Sequence, residues 1–280
     1  GQALMHQLIA KADVMTTNFM RSQLERYQLT YSTLRAINPR LIFAHITGYG
    51  DAGPEADRRA FDVTGWWARS GMMEFVRDPG QTPLMPAPGM GDHSTATALF
   101  GAIMSGLYKR ERTGDGCHVS TSLAANGVWA NGMALQGVVA GNDLAEHRQK
   151  TGWVNPLSTA YGCGDGSFLV LTMINTQREY PQLCEALGHP EWLQDERFAD
   201  IRQAMRNRDL LQQMISDAFA ELTFAQAAER LDAKGITYSK VQTMTEVLAD
   251  EQLRAAGIVV ETGDSQGDFD LTIASPINMV

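Results

Sequence analysis

Leu41-Ile42-Phe43-Ala44-His45-Ile46 runs directly into Thr47-Gly48-Tyr49-Gly50. A run this apolar predicts a strand covered on both faces, and the glycines after it let the chain turn sharply away. Upstream, Asp13-Val14-Met15-Thr16-Thr17 reads as a second short buried strand that ends at Asn18-Phe19. Between the two lie helical segments around Leu24 to Tyr27 and Tyr31 to Ile37, stopped by Asn38-Pro39. Strand, helix, strand in this order predicts a right-handed crossover and a parallel sheet. Such sheets bind ligands at the carboxyl ends of their strands, here Asn18-Phe19 and Thr47-Gly48-Tyr49-Gly50. Ahead of the first strand, residues 2–12 place Leu4, Leu8 and Ile9 on one face of a helix.

Downstream, residues 51–91 are rich in glycine, proline and aromatics, with a helix expected from Phe61 to Met73. Its Trp66-Trp67 pair reads either as packing or an interface, or as a ligand contact. Then comes Pro88-Gly89-Met90-Gly91-Asp92-His93-Ser94, after which Leu99, Phe100, Ile103 and Leu107 recur at helical spacing. A helix with those four on its buried face therefore begins close to Asp92. Asp92 meets unpaired backbone N–H groups and the positive end of the helix dipole. It either caps the helix or, beside glycines without side chains, is approached closely by a ligand. The basic last turn Lys109-Arg110-Glu111-Arg112 suits the negative end of the dipole, and glycines at 114 and 116 end the helix. Cys117 to Leu123 reads as a strand with His118 a turn or edge residue, and an Ala/Gly/Val-rich helical stretch follows to about Ala140.

Composition shifts at Gly141-Asn142-Asp143. Tyr161 to Leu171 reads as strand, turn and strand. Gly162-x-Gly164-x-Gly166 precedes a strand rather than a helix, so it is a hairpin turn and not a phosphate loop. Four helices follow: Gln177 to Leu187 closed by Gly188, a long one with Leu211, Ile215 and Phe219, one opened by the capping box Thr223-Phe224-Ala225-Gln226, and Thr245 to Ala256. Strands at Ile236 to Val241 and Ile258 to Glu261 flank the last helix. The fold class is therefore α/β: a doubly wound, mostly parallel, Rossmann-like large domain over 1–140, a linker over 141–156, and a smaller α+β domain over 157–262. Residues 263–280 begin a return segment.

The chain has 280 residues, 44% of them hydrophobic, enough for one large or two ordinary cores. A net charge of −9 argues against nucleic acid as a partner while leaving room for a local basic pocket. No apolar run reaches membrane-spanning length and no charged-then-apolar leader opens the chain. The three cysteines, Cys117, Cys163 and Cys184, lack metal-ligand spacing, so no metal site is expected and a reducing cytoplasmic compartment is the simplest setting.

The ordered set Ala12-Asp13-Val14, Asn18-Phe19, Leu24-Glu25-Arg26, Leu34-Arg35-x-x-Asn38-Pro39-Arg40-Leu41-Ile42 and Ile46-Thr47-Gly48-Tyr49-Gly50-x-x-Gly53-Pro54 resembles the class III CoA-transferases. So does Gly91-Asp92 followed by Arg110-Glu111-Arg112-Thr113-Gly114-x-Gly116, and the resemblance continues to Ser275-Pro276. It implies the CoA-transferase family III fold and Asp92 as a nucleophile. The carboxylate attacks a donor thioester to give an acyl-aspartyl anhydride, then an aspartyl-CoA thioester that an acceptor carboxylate opens. Gly91 and nearby backbone N–H groups hold the developing oxyanions. By the same resemblance Asn18 and Phe19 contact the CoA adenine and ribose, Arg26 and Arg59 its phosphates, and Tyr49 and Phe61 line the acyl pocket. His93 hydrogen-bonds substrate. Read without the family, Arg26 is a solvated helix face and His93 a partly exposed first-turn histidine. Coenzyme A and acyl-CoA enter as substrates rather than as tightly bound cofactors, the second substrate is a carboxylic acid, and the assembly is an interlocked homodimer.

Departures from the family pattern narrow the chemistry. Racemase members move a proton with a His and a Glu, and the matching positions here are Phe61 and Asn175, neither of which titrates. Gly152-Trp153-Val154-Asn155-Pro156 stands where formyl-CoA transferase has a glycine-rich flap, which argues against oxalate as acceptor. Arg59 replaces a lysine of that enzyme, keeping charge but not geometry. Trp66, Trp67 and Phe75 with Gly91-Asp92-His93 look more like the phenyllactate or 2-hydroxyacyl branch. Family members carry a βαβ segment before the position of residue 1 and a further segment after that of residue 280, so the chain reads as incomplete at both ends and unable to close its ring. Two other readings are an acyl-CoA racemase or isomerase, and a truncated, non-catalytic CoA-binding module.

Overall fold

Strands β1 (Val14–Thr17), β2 (Ile42–Thr47) and β3 (Cys117–Ser122) form a parallel sheet in the order β1-β2-β3. Register pairs Val14 with Ile42 and Thr17 with His45, and Ile42 with Cys117 through Thr47 with Ser122. The computed structural model describes residues 1–152, 155–263, 267 and 269–278. Leu41, Ile42, Phe43 and Ala44 are at most 1% exposed, so the central strand is covered on both faces as its composition requires. Phe43 joins Ile9, Leu24, Leu29 and Leu34 in one core cluster, formed with α1 (Gln2–Ile9), α2 (Arg21–Tyr27) and α3 (Tyr31–Ile37). Of the α1 residues expected to share a buried face only Ile9 is buried. Leu4 and Leu8 are 62% and 59% exposed, because only the end of the helix docks, where Asn38 Nδ2 donates to the Ile9 and Ala12 carbonyls.

The expected helix from Phe61 to Met73 is instead a π-helical turn over Asp62–Ala68 and a separate α4 (Met72–Phe75). Gly71, in the left-handed region at φ +80°, separates them. The opposite face of the sheet is covered by α5 (Met90–Thr113), which starts after Gly89 at φ +87° and ends at Gly114 at φ +81°. Asp92 is thus the third residue of the helix rather than its cap. The buried stripe of α5 also differs from the expected one: it comprises Gly91, Thr95, Leu99, Gly106 and Arg110, while Phe100 is 42% exposed and Ile103 and Leu107 are half-buried. The helix lies too close to the strands for large side chains. A Cβ on Gly106 would sit 3.0 Å from Ile42 Cγ2 and 3.2 Å from Cys117 Sγ. Arg110 does more than complement a dipole. It is buried, its Nη2 is 3.0 Å from Asp13 Oδ1, and its Nη1 donates to the carbonyls of Asp13 and Arg40. Helices on both faces make this an α/β layer. No reversal of strand order occurs in this sheet among the described residues.

Helices α6 (Leu123–Ala130) and α7 (Gly132–Val139) follow β3, and α8 (Leu144–Thr151) occupies much of the stretch expected to be linker. That helix is capped by Asp143 and tied down by Arg148, which donates to Phe75 O at 2.9 Å and reaches Asp78 Oδ1 at 3.0 Å. The chain divides into two compact units, 1–152 and 153–280. Trp153 and Val154, within the segment compared with the glycine-rich flap, lie outside the described residues, as do parts of 263–280.

In the second unit β4 (Ala160–Gly162) and β5 (Phe168–Leu171) form the expected antiparallel hairpin, turning at Gly166 with φ +82°. Then come α9 (Thr176–Leu187), a 3-10 turn at Pro190–Gln194, α10 (Ile201–Arg206), α11 (Arg208–Ala220) and α12 (Phe224–Ala233), of which the 3-10 turn and α10 carry no sequence signal strong enough to predict. Strand β6 (Tyr238–Lys240) pairs antiparallel with β5. The single helix expected over Thr245 to Ala256 is two, α13 (Met244–Ala249) and α14 (Glu251–Ala255). Asp250 leaves the helical region at ψ 118° and its side chain caps the second by accepting from Leu253 N. Strands β7 (Val259–Glu261) and β8 (Leu271–Ile273) pair antiparallel. Leu169, Leu171, Leu183, Leu211, Ile215 and Phe219, all fully buried, centre this unit's own core.

Candidate active site

The entry into α5 is held by a carboxylate from elsewhere. Asp62, buried in the first turn of the π-helical segment, accepts from Gly89 N at 2.6 Å through Oδ2 and from Gly91 N at 2.9 Å through Oδ1. Two charge-assisted bonds to otherwise unpaired helix-start amides contribute about 1.5–3 kcal/mol each. The approach is so close that only glycine fits: a Cβ on Gly91 would lie 2.3 Å from Asp62 Oδ1 and 2.4 Å from Trp66 Cγ. Trp66 is buried beneath this turn, edge-on to Trp67 at 4.9 Å between centroids. Asp62 thus spends both oxygens on backbone, whereas Asp92, next along, is exposed and has no hydrogen-bond or ion-pair partner among the described residues.

Asp92 lines a cavity of about 210 Å³ with Asn18, Gly48, Ala60, Phe61 and Leu123. Asn18 follows β1, Gly48 follows β2 and Leu123 follows β3, so the cavity stands at the carboxyl ends of all three parallel strands. Gly48 lets the loop close over it, for a Cβ there would be 2.4 Å from the Ala60 Cβ. A larger cavity of about 410 Å³ shares Asn18, Thr47, Gly48, Ala60 and Phe61 and adds Phe19, Arg58 and Arg59. The wall containing Phe61, itself 77% exposed, belongs to both.

Of the residues singled out in the sequence, Asn18, Phe19, Arg59, Phe61 and Asp92 meet around these two cavities. Arg26, Tyr49 and His93 do not line either. Arg26 is exposed over the Tyr27 ring at 5.7 Å. Tyr49 is half-buried beneath the guanidinium groups of Arg58 and Arg69, at 5.9 and 5.3 Å. His93 is exposed on the first turn of α5, beside Gly89. Asn175 caps α9 by accepting from Arg178 N. Arg58, not singled out in the sequence, lines the larger cavity beside Arg59. It also pairs with Glu55, whose carboxyl is held below the usual range by the Arg58 hydrogen bond and by Arg69. Asp62 had no local signal, since the amides it binds lie 27 and 29 residues away. One further group converges nearby: His45, Asp51 and His118, with the His118 imidazole held below its usual range by burial.

No helix among the described residues is long and apolar enough to cross a membrane. The profile of CoA-transferase family III matches residues 1–279. The chain is 28% identical over 277 residues to the (R)-2-hydroxy-4-methylpentanoate CoA-transferase of Clostridioides difficile, covering 99% of this chain and 69% of that one. It is 29% identical over 254 residues to the cinnamoyl-CoA:phenyllactate CoA-transferase of Clostridium sporogenes, covering 90% of this chain and 62% of the relative. The chain therefore spans about two thirds of the length of these curated relatives. The crystal structure of a CAIB/BAIF family protein from Brucella suis superposes with a TM-score of 0.81 at 27% identity, over 98% of this chain and 74% of that one. With a parallel sheet, a glycine-framed helix entry and a match along its whole length, the chain belongs to CoA-transferase family III.

Proposed function

We propose that this chain transfers coenzyme A between an acyl-CoA thioester and a free carboxylic acid, with Asp92 as the nucleophile. The observation that carries the reading is the exposed Asp92 carboxylate on the wall of a cavity at the carboxyl ends of the sheet, beside a larger cavity edged by Arg58 and Arg59. In this reading the arginines take CoA phosphates, Asn18 and Phe19 the nucleoside, and Phe61 separates that groove from the acyl pocket. Arg26, Tyr49 and His93 are assigned no direct contact.

An Asp92 oxygen attacks the donor carbonyl carbon, the C–S bond breaks, and CoA leaves as thiolate, giving an acyl-aspartyl anhydride. The thiolate then attacks the aspartyl carbonyl carbon and the donor acid leaves as carboxylate. The acceptor carboxylate attacks the resulting aspartyl-CoA thioester, thiolate leaves again, and its attack on the acceptor's acyl carbon regenerates Asp92. Every step exchanges one anion for another, so no net proton or water is consumed. Gly91 N–H, expected from the sequence to hold a developing oxyanion, instead donates to Asp62, and the two Asp62 bonds fix the backbone from which Asp92 projects. A homodimer in a reducing cytoplasm is the proposed working state, consistent with the free Cys117, Cys163 and Cys184.

The test is label exchange across a panel of acyl-CoA donors and carboxylic acid acceptors, with mass analysis of the Asp92 peptide. Asp92→Asn is expected to lower exchange by about a thousandfold or more and to abolish the adduct. Unchanged exchange by that variant overturns the reading. A racemase would instead incorporate solvent deuterium at the α carbon without any acceptor.

A further inference from the structure

The loop after β2 carries Asp51 back beside the strand it has just left. His45 on β2 is buried, with 6% of its side chain exposed, and its Nε2 is 2.8 Å from the carbonyl oxygen of Phe19. A carbonyl oxygen only accepts, so Nε2 carries hydrogen and donates it. A neutral ring then keeps a bare lone pair on Nδ1. Yet Nδ1 faces Oδ1 of Asp51 at 3.1 Å, and a carboxylate oxygen is an acceptor too. Two acceptors at that separation repel unless a positive charge lies between them. The third member is His118 on β3, whose Nε2 is 4.0 Å from Asp51 Oδ2. One ligand atom from each residue lies within 4.8 Å of the others.

We propose that His45, Asp51 and His118 bind a divalent first-row transition ion, of which zinc is representative. Zinc ligands at about 2.0–2.1 Å in tetrahedral array stand roughly 3.3 Å apart, so the His45–Asp51 pair is already at a metal-binding separation. The third ligand must close by up to about 1.5 Å, a movement open to Asp51 and His118, whose side chains are 36% and 34% exposed. Strands β2 and β3 are hydrogen-bonded neighbours, so two of the three ligands stand on rigid backbone. The His45 N–H to the Phe19 carbonyl is the outer contact that fixes tautomer and ring orientation in metal-binding histidines. Two imidazoles and one carboxylate suit zinc and its neighbours rather than calcium or magnesium. An adjoining cavity of about 350 Å³, lined by these three residues with Arg21 and Tyr31, leaves room for water in the remaining coordination position. Cysteine spacing gave no hint of this site because its ligands come from positions 45, 51 and 118. Occupied, it pegs to the sheet the loop that holds Gly48, a wall of both cavities above.

The experiment titrates the full, tag-free, chelator-stripped chain with Co²⁺ and then Zn²⁺, reading visible absorption, bound metal per chain and thermal midpoint. The expected result is one cobalt per chain, displaced by zinc, with a raised midpoint. His118→Ala, His118→Gln and Asp51→Asn should each bind at least about tenfold more weakly. Circular dichroism of the metal-free variants selects those that fold. Wild-type protein that takes up no zinc at saturation, or folded variants that take it up equally, overturn the proposal. Nitrogen NMR that finds His45 doubly protonated and unchanged by zinc also overturns it, since the charge between the two acceptors is then a proton.

Discussion

Asp62 and Asp92 are identical side chains thirty residues apart put to opposite uses by their surroundings. The first is buried and fully engaged by Gly89 and Gly91, and the second is exposed and unengaged. Asp62→Asn keeps the shape but turns an amide N–H₂ toward one of the two backbone donors. It should lower stability by about 1–3 kcal/mol in urea unfolding. It should also reduce CoA exchange at least tenfold while leaving CoA affinity nearly unchanged, because it acts on where Asp92 stands rather than on the arginine groove. Gly91→Ala drives a methyl into Asp62 and Trp66 and should cost at least about 1–3 kcal/mol by the same measurement. Glycines framing an acid at a helix start were legible in the sequence as a place for close approach. The acid that holds those glycines was not, since a contact across 27 residues leaves no local pattern.

At the scale of the element, α5 shows what periodicity can and cannot say. The helix itself, its glycine ends and its approximate start follow from spacing. Its buried face does not, because hydrophobicity ranks Phe100 above Gly106 and Thr95, whereas a helix pressed against a sheet selects for smallness. Gly106→Val should therefore destabilise by about 1–3 kcal/mol, and Phe100→Ser by under about 1 kcal/mol, both read by urea unfolding. The capping box of α13 gives a pH test. Glu246 receives Lys240 Nζ at 2.5 Å and Thr243 N at 2.8 Å, and the Lys240 hydrogen bond foremost holds its carboxyl at about 2, below its ordinary 4.5. A depressed folded-state pKa means the contribution is whole above the unfolded value and is lost as pH falls through the folded one. Glu246→Gln should lower the thermal midpoint at pH 7, and the gap from wild type should close between about pH 4.5 and 2.

Across the whole molecule, alternating strands and helices gave the parallel sheet, and the glycine-rich turn before Phe168 gave the hairpin of the second unit. The break at Asp250 and the helix inside 141–156 escaped, because one is set by a cap competing with helix continuation and the other by docking to Phe75 and Asp78. Among the described residues, the second unit's buried core is drawn from Leu157 to Ile236, with Tyr238 packed against it, so residues 155–278 expressed alone should unfold cooperatively in urea with dispersed amide NMR signals. A chain of that length that shows neither would overturn this. The wall around Asp92 has the contrary character: its members at 18, 48, 60, 61, 92 and 123 are strewn over more than a hundred positions. No short precursor of it exists, and closing such distant segments costs loop entropy before any contact rewards it. On the ribosome the Asp92 pocket is therefore absent until Leu123 has left the exit tunnel, whereas the arginine-edged groove, lined by positions 18 to 61, draws on a much shorter stretch of chain.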